Sequence, residues 1–334
     1  MIKKTSVFFL KTILPLGLGI YLFWYFFSAM SEQSKKLFFQ ALSQADYRWI
    51  FLSLLIAIAS YFSRAYRWKY ALEPMGYKTN STNRFHALMI GYLVNLTLPR
   101  AGEASRAMVI NRSDGVPFTI GFGTIISERI VDIFFLATIT FTALLLGKDD
   151  FFKIKSLIEA QFGSDSSQNS GFIYYVILII LVFGIIALLF QKIRIKVFRI
   201  AKELFQSTIS IFRTKNPVAY IAHSFFIWIC FLLMFLLPFY SLESTKDLPI
   251  SCVLFSFIAG SVGISLTNGG IGSYPLLVGL VVGFYLTDLP REEAFAIGNA
   301  LGLLIWVSQT VLLVLIGLIS WIIVPKTTIN NEQI

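Results

Sequence analysis

Apolar stretches of about 20 residues recur from the N-terminal region almost to the C-terminus, and each is long enough to carry a helix across a hydrocarbon core ~30 Å thick at ~1.5 Å per residue. Of the 334 residues, 56% are hydrophobic and only 14% are charged, against roughly 25% charged residues in soluble domains. A water-soluble fold has nowhere to hide so much apolar surface, so the expected class is an all-α, polytopic integral membrane protein. The first run, Val7 to Met30, follows Lys3 and Lys4. It is too long for a signal peptide, lacks a small-residue cleavage site and is followed by further spans, so it reads as a retained helix.

Six full spans are expected at about 7 to 29, 48 to 71, 117 to 147, 172 to 191, 217 to 240 and 293 to 323. Two further apolar segments, about 84 to 111 and 250 to 286, are interrupted by Leu98-Pro99-Arg100-Ala101-Gly102 and by Thr267-Asn268-Gly269-Gly270-Ile271-Gly272. Proline lacks the amide hydrogen and glycine clusters favour non-helical backbone, so each segment reads as two half-helices that dip into the membrane and return. The eight hydrophobic segments then repeat one layout, span, span, broken hairpin, span, starting from opposite faces. That is an inverted repeat within a single transmembrane domain, residues 1–147 against 172–323. A faint echo supports it: Asn95 to Gly102 matches Ser265 to Gly272 at three of eight positions, an offset of 170 residues.

Orientation follows from charge. With the N-terminus in the cytoplasm, 18 of the 28 lysines and arginines fall in inside segments, which favours both termini in the cytoplasm of a cell-membrane protein. Residues 192 to 212 carry Ile193, Val197, Ile200, Leu204 and Phe212 on one helical face and Lys192, Arg194, Lys196, Arg199 and Lys202 largely elsewhere. That pattern fits an interfacial helix, most simply a topology anchor. Nucleic-acid binding is a poor account of the net charge of +10.

Several function classes lose support. Cys230 and Cys252 form no metal-ligand spacing, His86 and His223 stand far apart in sequence, and no Walker A sequence occurs, so neither a metal nor another cofactor is expected. Asp149 and Asp150 in an outer loop are the one weak hint of a transferase site.

The candidate binding residues form four groups. In the helix expected from Pro117, Glu128 lies ~17 Å along the axis, near the bilayer midplane. Its neighbours Arg129 and Asp132 share this stretch, and each such charge costs at least ~2.5 to 3.5 kcal/mol at the centre of an inserting helix, so the three need partners. They are either a functional polar centre or an ion-pair network locking helices. The second group is Arg100, Glu103 and Arg106 around a half-helix beginning near Gly102, whose amides and dipole suit a phosphate; an ordinary cytoplasmic loop obeying the positive-inside rule is the alternative. The third, Arg64, Arg67, Trp68 and Lys69, fits snorkelling anchors with a belt tryptophan, and otherwise a cationic gate. The fourth, Gly269, Gly270 and Gly272, lets backbone approach a ligand or lets helices pack.

Taken together, Arg-x-x-Arg-Trp at 64 to 68, Gly91-x-x-x-Asn95 leading into Leu-Pro-Arg-x-Gly-Glu-x-x-Arg at 98 to 106, Glu-Arg-x-x-Asp at 128 to 132 and Gly-Gly-x-Gly at 269 to 272 resemble the lysylphosphatidylglycerol synthase transmembrane-region family of flippase-like membrane proteins. The resemblance covers about residues 7 to 323. In full-length members a lipid-flipping membrane domain is joined to a synthase region that transfers lysine from charged tRNA to phosphatidylglycerol. It implies translocation of a polar-headed lipid, a phospholipid or a polyprenyl-phosphate-linked precursor, with an anionic head group as the partner. The alternative is a membrane subunit or partner of a lipid-modifying or glycosyl transferase.

The chain departs from the family pattern at two places. It runs only about ten residues past its last expected span, so lipid aminoacylation by this chain alone is not expected. After Gly272, where many relatives are acidic, it has Ser273-Tyr274-Pro275, which weakens any mechanism needing a carboxylate in the second hairpin.

The charge asymmetry makes a direct prediction. Single cysteines at Asn80 and Gln206 should be labelled by an impermeant thiol reagent only from the cytoplasm, and one at Ser166 only from outside. Labelling of Gln206 from outside would overturn the topology.

Overall fold

A computed structural model describes residues 31–98, 101–148 and 216–324, with Gly17, Ile20, Tyr21, Trp24, Phe27, Ser28, Lys202 and Thr214 as isolated positions. The expected spans at 7 to 29 and 172 to 191, the interfacial helix at 192 to 212, and Pro99, Arg100, Asp149 and Asp150 lie outside the described residues, or nearly so in the first and third cases. Within them the chain is helical: α1 (Glu32–Gln44), α2 (Tyr47–Arg67), the short α3 (Lys69–Leu72), α4 (Ser81–Thr97), α5 (Gly102–Asp114), α6 (Phe118–Leu146), α7 (Pro217–Leu236), α8 (Ile250–Leu266), α9 (Ser273–Tyr285) and α10 (Arg291–Ile323). Four stretches, Tyr47–Met75, Phe118–Leu146, Pro217–Ser241 and Arg291–Ile323, are long and apolar enough to cross a membrane. Large apolar side chains such as Ile133, Phe134, Phe141 and Leu145 stay exposed along α6, as suits a helix whose outer face meets lipid. The protein is a multi-pass membrane protein.

Helix α1 is an addition that the apolar pattern alone does not predict. Its mixed sequence starts behind Ser31, whose hydroxyl accepts the Ser34 amide at 3.2 Å, an ordinary N-cap. Phe38 turns inward from it against Ala296 and Ala300 of α10.

The two broken segments are two helix pairs. Helix α5 begins at Gly102, as its sequence implies, and the turn is clamped from α4: Asn95 Oδ1 accepts the Gly102 amide at 2.7 Å. A methyl group on Gly102 would lie 2.1 Å from the Gly91 carbonyl oxygen, so here the two helices touch backbone to backbone. In the second pair, Gly269, Gly270 and Gly272 take φ of 61°, 81° and 73°, the left-handed region that other residues enter at a cost. Ser273, which follows Gly272, donates to the Gly263 carbonyl at 2.7 Å and shares a 2.6 Å contact with Thr267.

These two tips meet. Asn268 Nδ2 donates to the Thr97 carbonyl at 3.3 Å, Gly269 packs so closely on Leu96 that a methyl group would lie 2.6 Å from Leu96 Cδ2, and Trp306 Nε1 holds the Gly269 carbonyl at 2.7 Å. Around them the long helices pair crosswise. Helix α2 runs antiparallel to α7, with Arg67 on Ser224 at one end and Ile50 in a cluster with Phe235 and Phe239 at the other. Helix α10 packs on α4, Gly317 against Leu93 and His86 Nδ1 3.0 Å from Ser320 Oγ, while α6 packs on α8 through Gly147 against Phe255. The first residues of α2, α4, α5 and α6 precede those of α7, α8, α9 and α10 by 170, 169, 171 and 173 residues.

Candidate functional site

The charged motifs of the first half converge on one buried centre. Helix α6 starts behind Pro117, and by its middle it carries Glu128 and Asp132 inward, one turn apart. The last turn of α2 brings Arg64 and Arg67 against them, and α5 brings Arg106. Arg106 forms a two-pronged pair with Glu128, Nη1 to Oε2 at 2.8 Å and Nη2 to Oε1 at 3.2 Å. Arg64 Nη2 reaches Asp132 Oδ2 at 2.8 Å. Arg67 lies between the carboxylates, 3.5 Å from Asp132 and 3.9 Å from Glu128, and donates to Ser224 of α7 at 3.0 Å. Parallel fork-to-fork bonding is the strongest form a guanidinium and carboxylate adopt, and it offsets the cost of placing these charges in a low-dielectric interior.

Aromatic rings complete the cage. The Arg106 guanidinium lies 3.8 Å over the Trp68 ring, and Trp68 Nε1 donates to Thr124 at 2.9 Å. Tyr92 and Phe231 flank Arg64 at 5.8 and 6.0 Å, and Tyr220 flanks Arg67 at 5.4 Å. Ring faces are negative, so each contact adds to the stabilisation of a buried cation. Arg64, Arg67 and Trp68 are therefore not snorkelling anchors at the interface, as their place at a span's end implies. All three are buried, because carboxylates on the neighbouring helix give the arginines an interior destination.

One edge of the centre is open. Arg129 Nη2 lies 3.0 Å from Glu103 and its Nη1 3.5 Å from Asp132, with 42% of the Arg129 side chain and 25% of the Glu103 side chain exposed. Both line a crevice between α4, α5 and α6 with Tyr92, Asn95, Gly102 and Arg106, about 10 Å³ in volume, room for roughly one water. Glu103 Oε2 and the Nε atoms of Arg64, Arg67 and Arg106 are buried with no hydrogen-bond partner among the described residues. Among the described residues the centre thus holds four guanidiniums, Arg64, Arg67, Arg106 and Arg129, against three carboxylates, Glu103, Glu128 and Asp132.

Of the expected binding residues, Arg64, Arg67, Glu103, Arg106, Glu128, Arg129 and Asp132 gather here, and Asn95 fixes the turn beside them. Arg100 lies outside the described residues. Gly269, Gly270 and Gly272 shape the other hairpin tip, where Gly269 meets Leu96 and Trp306 and Gly270 meets Tyr274 and Ile264. Sequence reasoning missed Ser224, Thr124, Tyr92 and Tyr220. An isolated hydroxyl or tyrosine in an apolar run gives little signal until its helix is placed against a guanidinium.

The sequence profile described as lysylphosphatidylglycerol synthase TM region matches residues 12–317. Two curated proteins are similar over shorter stretches. The UPF0104 membrane protein MJ1595 of Methanocaldococcus jannaschii is 28% identical over 87 residues, 25% of this chain and 26% of that protein. Glycosyltransferase AglD of Haloferax volcanii is 30% identical over 97 residues, 29% of this chain and 16% of that protein. The chain thus spans about a quarter or less of each of these relatives. No solved structure matches.

The geometry separates two carboxylates by burial. Glu128→Gln keeps size and shape but leaves Arg106 without its counter-charge in a dry interior, so it should destabilise the protein by about 3 to 5 kcal/mol. Glu103→Gln, at the open edge, should cost less than about 1 kcal/mol. Thermal unfolding of the two purified variants in one detergent checks this; equal melting temperatures would contradict it.

Proposed function

This chain belongs to the lysylphosphatidylglycerol synthase TM region family, and from that premise we propose that it moves a lipid with an anionic polar head, a phospholipid or a polyprenyl-phosphate-linked precursor, between the leaflets of the cytoplasmic membrane. The observation that carries this reading is the surplus guanidinium of the buried centre, presented at a crevice by the half-exposed Arg129. A phosphate reaching that crevice would compete with Glu103 for Arg129 and complete the charge balance that the protein's own carboxylates leave one short. Arg106, held in a two-pronged pair by Glu128, would hold the crevice's shape, and Arg100, two residues before Gly102 in the sequence, is a further candidate for the phosphate.

The inverted-repeat architecture belongs to the same proposal. Two halves, 1–147 and 172–323, would face opposite ways, with six spans and two re-entrant hairpins and both termini in the cytoplasm. Its support is threefold: the near-constant helix offset of 169 to 173 residues, the contact between the two broken tips, and the matched crosswise pairing of α2 with α7 and of α4 with α10 as α8 with α6. Halves of this kind can rock against each other around a central site. The crevice is narrow in this conformation, about 10 Å³, and would widen to admit a phosphate as the halves move.

A second reading, a membrane partner of a lipid-modifying or glycosyl transferase, rests on the similarity to Glycosyltransferase AglD. One experiment separates the two. Proteoliposomes holding the purified chain and fluorescent phosphatidylglycerol, phosphatidylcholine or a polyprenyl phosphate are scored for leaflet exchange by quencher accessibility, and the lipids are then analysed by mass. Faster exchange of unmodified anionic lipid than of phosphatidylcholine is expected. Exchange equal to protein-free vesicles for every lipid would refute the transporter reading, and a change in lipid mass would favour the transferase one.

A further inference from the structure

A cavity of about 380 Å³ is separate from the charged crevice and lies on the other side of the same helix turn. Its inner wall is two rings: Phe62 of α2 and Phe85 of α4 stack with centroids 4.5 Å apart and planes 16° from parallel. One turn nearer the ends of both helices stand Tyr66 of α2 and Ser81 and Thr82, which open α4. Beside them Ser63 Oγ and His223 Nδ1 lie 2.8 Å apart and the Tyr66 ring is 5.1 Å from the imidazole. Phe62 and Tyr66 remain exposed among the described residues.

We infer that this groove receives one lipid from the surrounding leaflet, with an acyl chain against Phe62 and Phe85 and the polar head at Ser81, Thr82 and His223. The inference rests on the lipid-exchange reading and adds its point of entry. Three observations commit the groove to an amphiphile. Its exposed lining is almost wholly apolar, as an acyl chain requires, and the exposed Ser81 and Thr82 stand at the start of α4 one turn from Phe85, within reach of the head of the same lipid. It opens on the outer flank of a membrane-spanning helix, where lipid is the solvent. Its wall is shared residue by residue with the charged centre: Ser63 and Tyr66 line the groove while Arg64 and Arg67 of the same turn point to the carboxylates, and His223 lines it while Ser224 accepts a hydrogen bond from Arg67. A head group seated at His223 would be one residue away from the ligand of Arg67, so loading the groove would be felt at the centre through a single turn of α2 and of α7.

Proteoliposomes of the full chain containing phosphatidylglycerol with a diazirine near the end of one acyl chain test this. After irradiation and digestion, adducts should concentrate on Phe62, Tyr66 and Phe85 relative to Phe141, which faces lipid on α6. Thr82→Trp, an exposed rim position, should remove the groove adducts, leave labelling of Phe141 in place, and slow lipid exchange. Adducts spread evenly over Phe141 and the groove residues would overturn the inference, as would none in the groove, the result if another part of the chain fills it. Exchange that persists with an unlabelled groove would sink the entry site and leave the exchange reading standing. Groove adducts in a protein that exchanges no lipid would sink the entry role as well as that reading. Because the distribution is read on the unaltered chain, the test survives a Thr82→Trp protein that fails to fold.

Discussion

Four guanidiniums held against three carboxylates inside a membrane protein are the constraint to which the rest of this fold answers. A buried charge left without its partner typically costs about 3 to 5 kcal/mol, so the buried Glu128 and Asp132 on α6 and Arg64 and Arg67 on α2 are tolerable only together. Their pairing fixes α2 against α6, Arg106 adds α5, and the hydrogen bond from Arg67 to Ser224 adds α7. The approach of α5 in turn requires Gly91 and Gly102, since any side chain at Gly102 would occupy the position of the Gly91 carbonyl. A local sequence choice one turn away is thus dictated by the need to deliver one guanidinium to one carboxylate.

The second half holds its helices by a different means. At the 170-residue offset that aligns the helix starts, the positions of Arg64, Arg106, Glu128 and Asp132 are occupied by Met234, Leu276, Gly298 and Gly302. There α9 and α10 approach through Gly279, Gly283, Gly298 and Gly302, with ideal methyl positions on these glycines 2.2 to 2.8 Å from atoms of the facing helix. Close backbone packing through small residues is the usual glue where no hydrophobic force separates helix from lipid. In the proposed inverted repeat, one half would therefore supply charge and the other a tightly packed counterpart. They meet where Asn268 donates to the Thr97 carbonyl.

Much of this was legible from single residues. Pro99 with Gly102, and the glycines from Gly269 to Gly272, mark both breaks because backbone restrictions act locally. Arg129 and Asp132 three residues apart on one helix predicted their own pairing, found at 3.5 Å. The partner of Arg64 was not legible, because it stands 68 residues away and only the packing of α2 on α6 makes it a partner. The same holds for Trp68, whose place beside Lys69 at a helix end reads as an interfacial belt until Thr124 and Arg106 are brought to its two sides. Helix α1 escaped notice for a third reason: at 13 residues, with charged and amide side chains throughout, it is too short and too polar to register as a span.

The account's central claim is that the guanidinium left over at the crevice receives the anionic head, and Arg129→Gln against Arg112→Gln measures it most directly. Both changes remove one positive charge, but Arg112 is exposed at the far end of α5, away from the crevice. In proteoliposomes with fluorescent phosphatidylglycerol, loss of one charge-assisted contact, about 1.5 to 3 kcal/mol, should slow exchange roughly tenfold or more in Arg129→Gln. Arg112→Gln should exchange at the rate of the unaltered protein. Equal slowing in both variants would reduce the effect to general attraction for anionic lipid and contradict the claim.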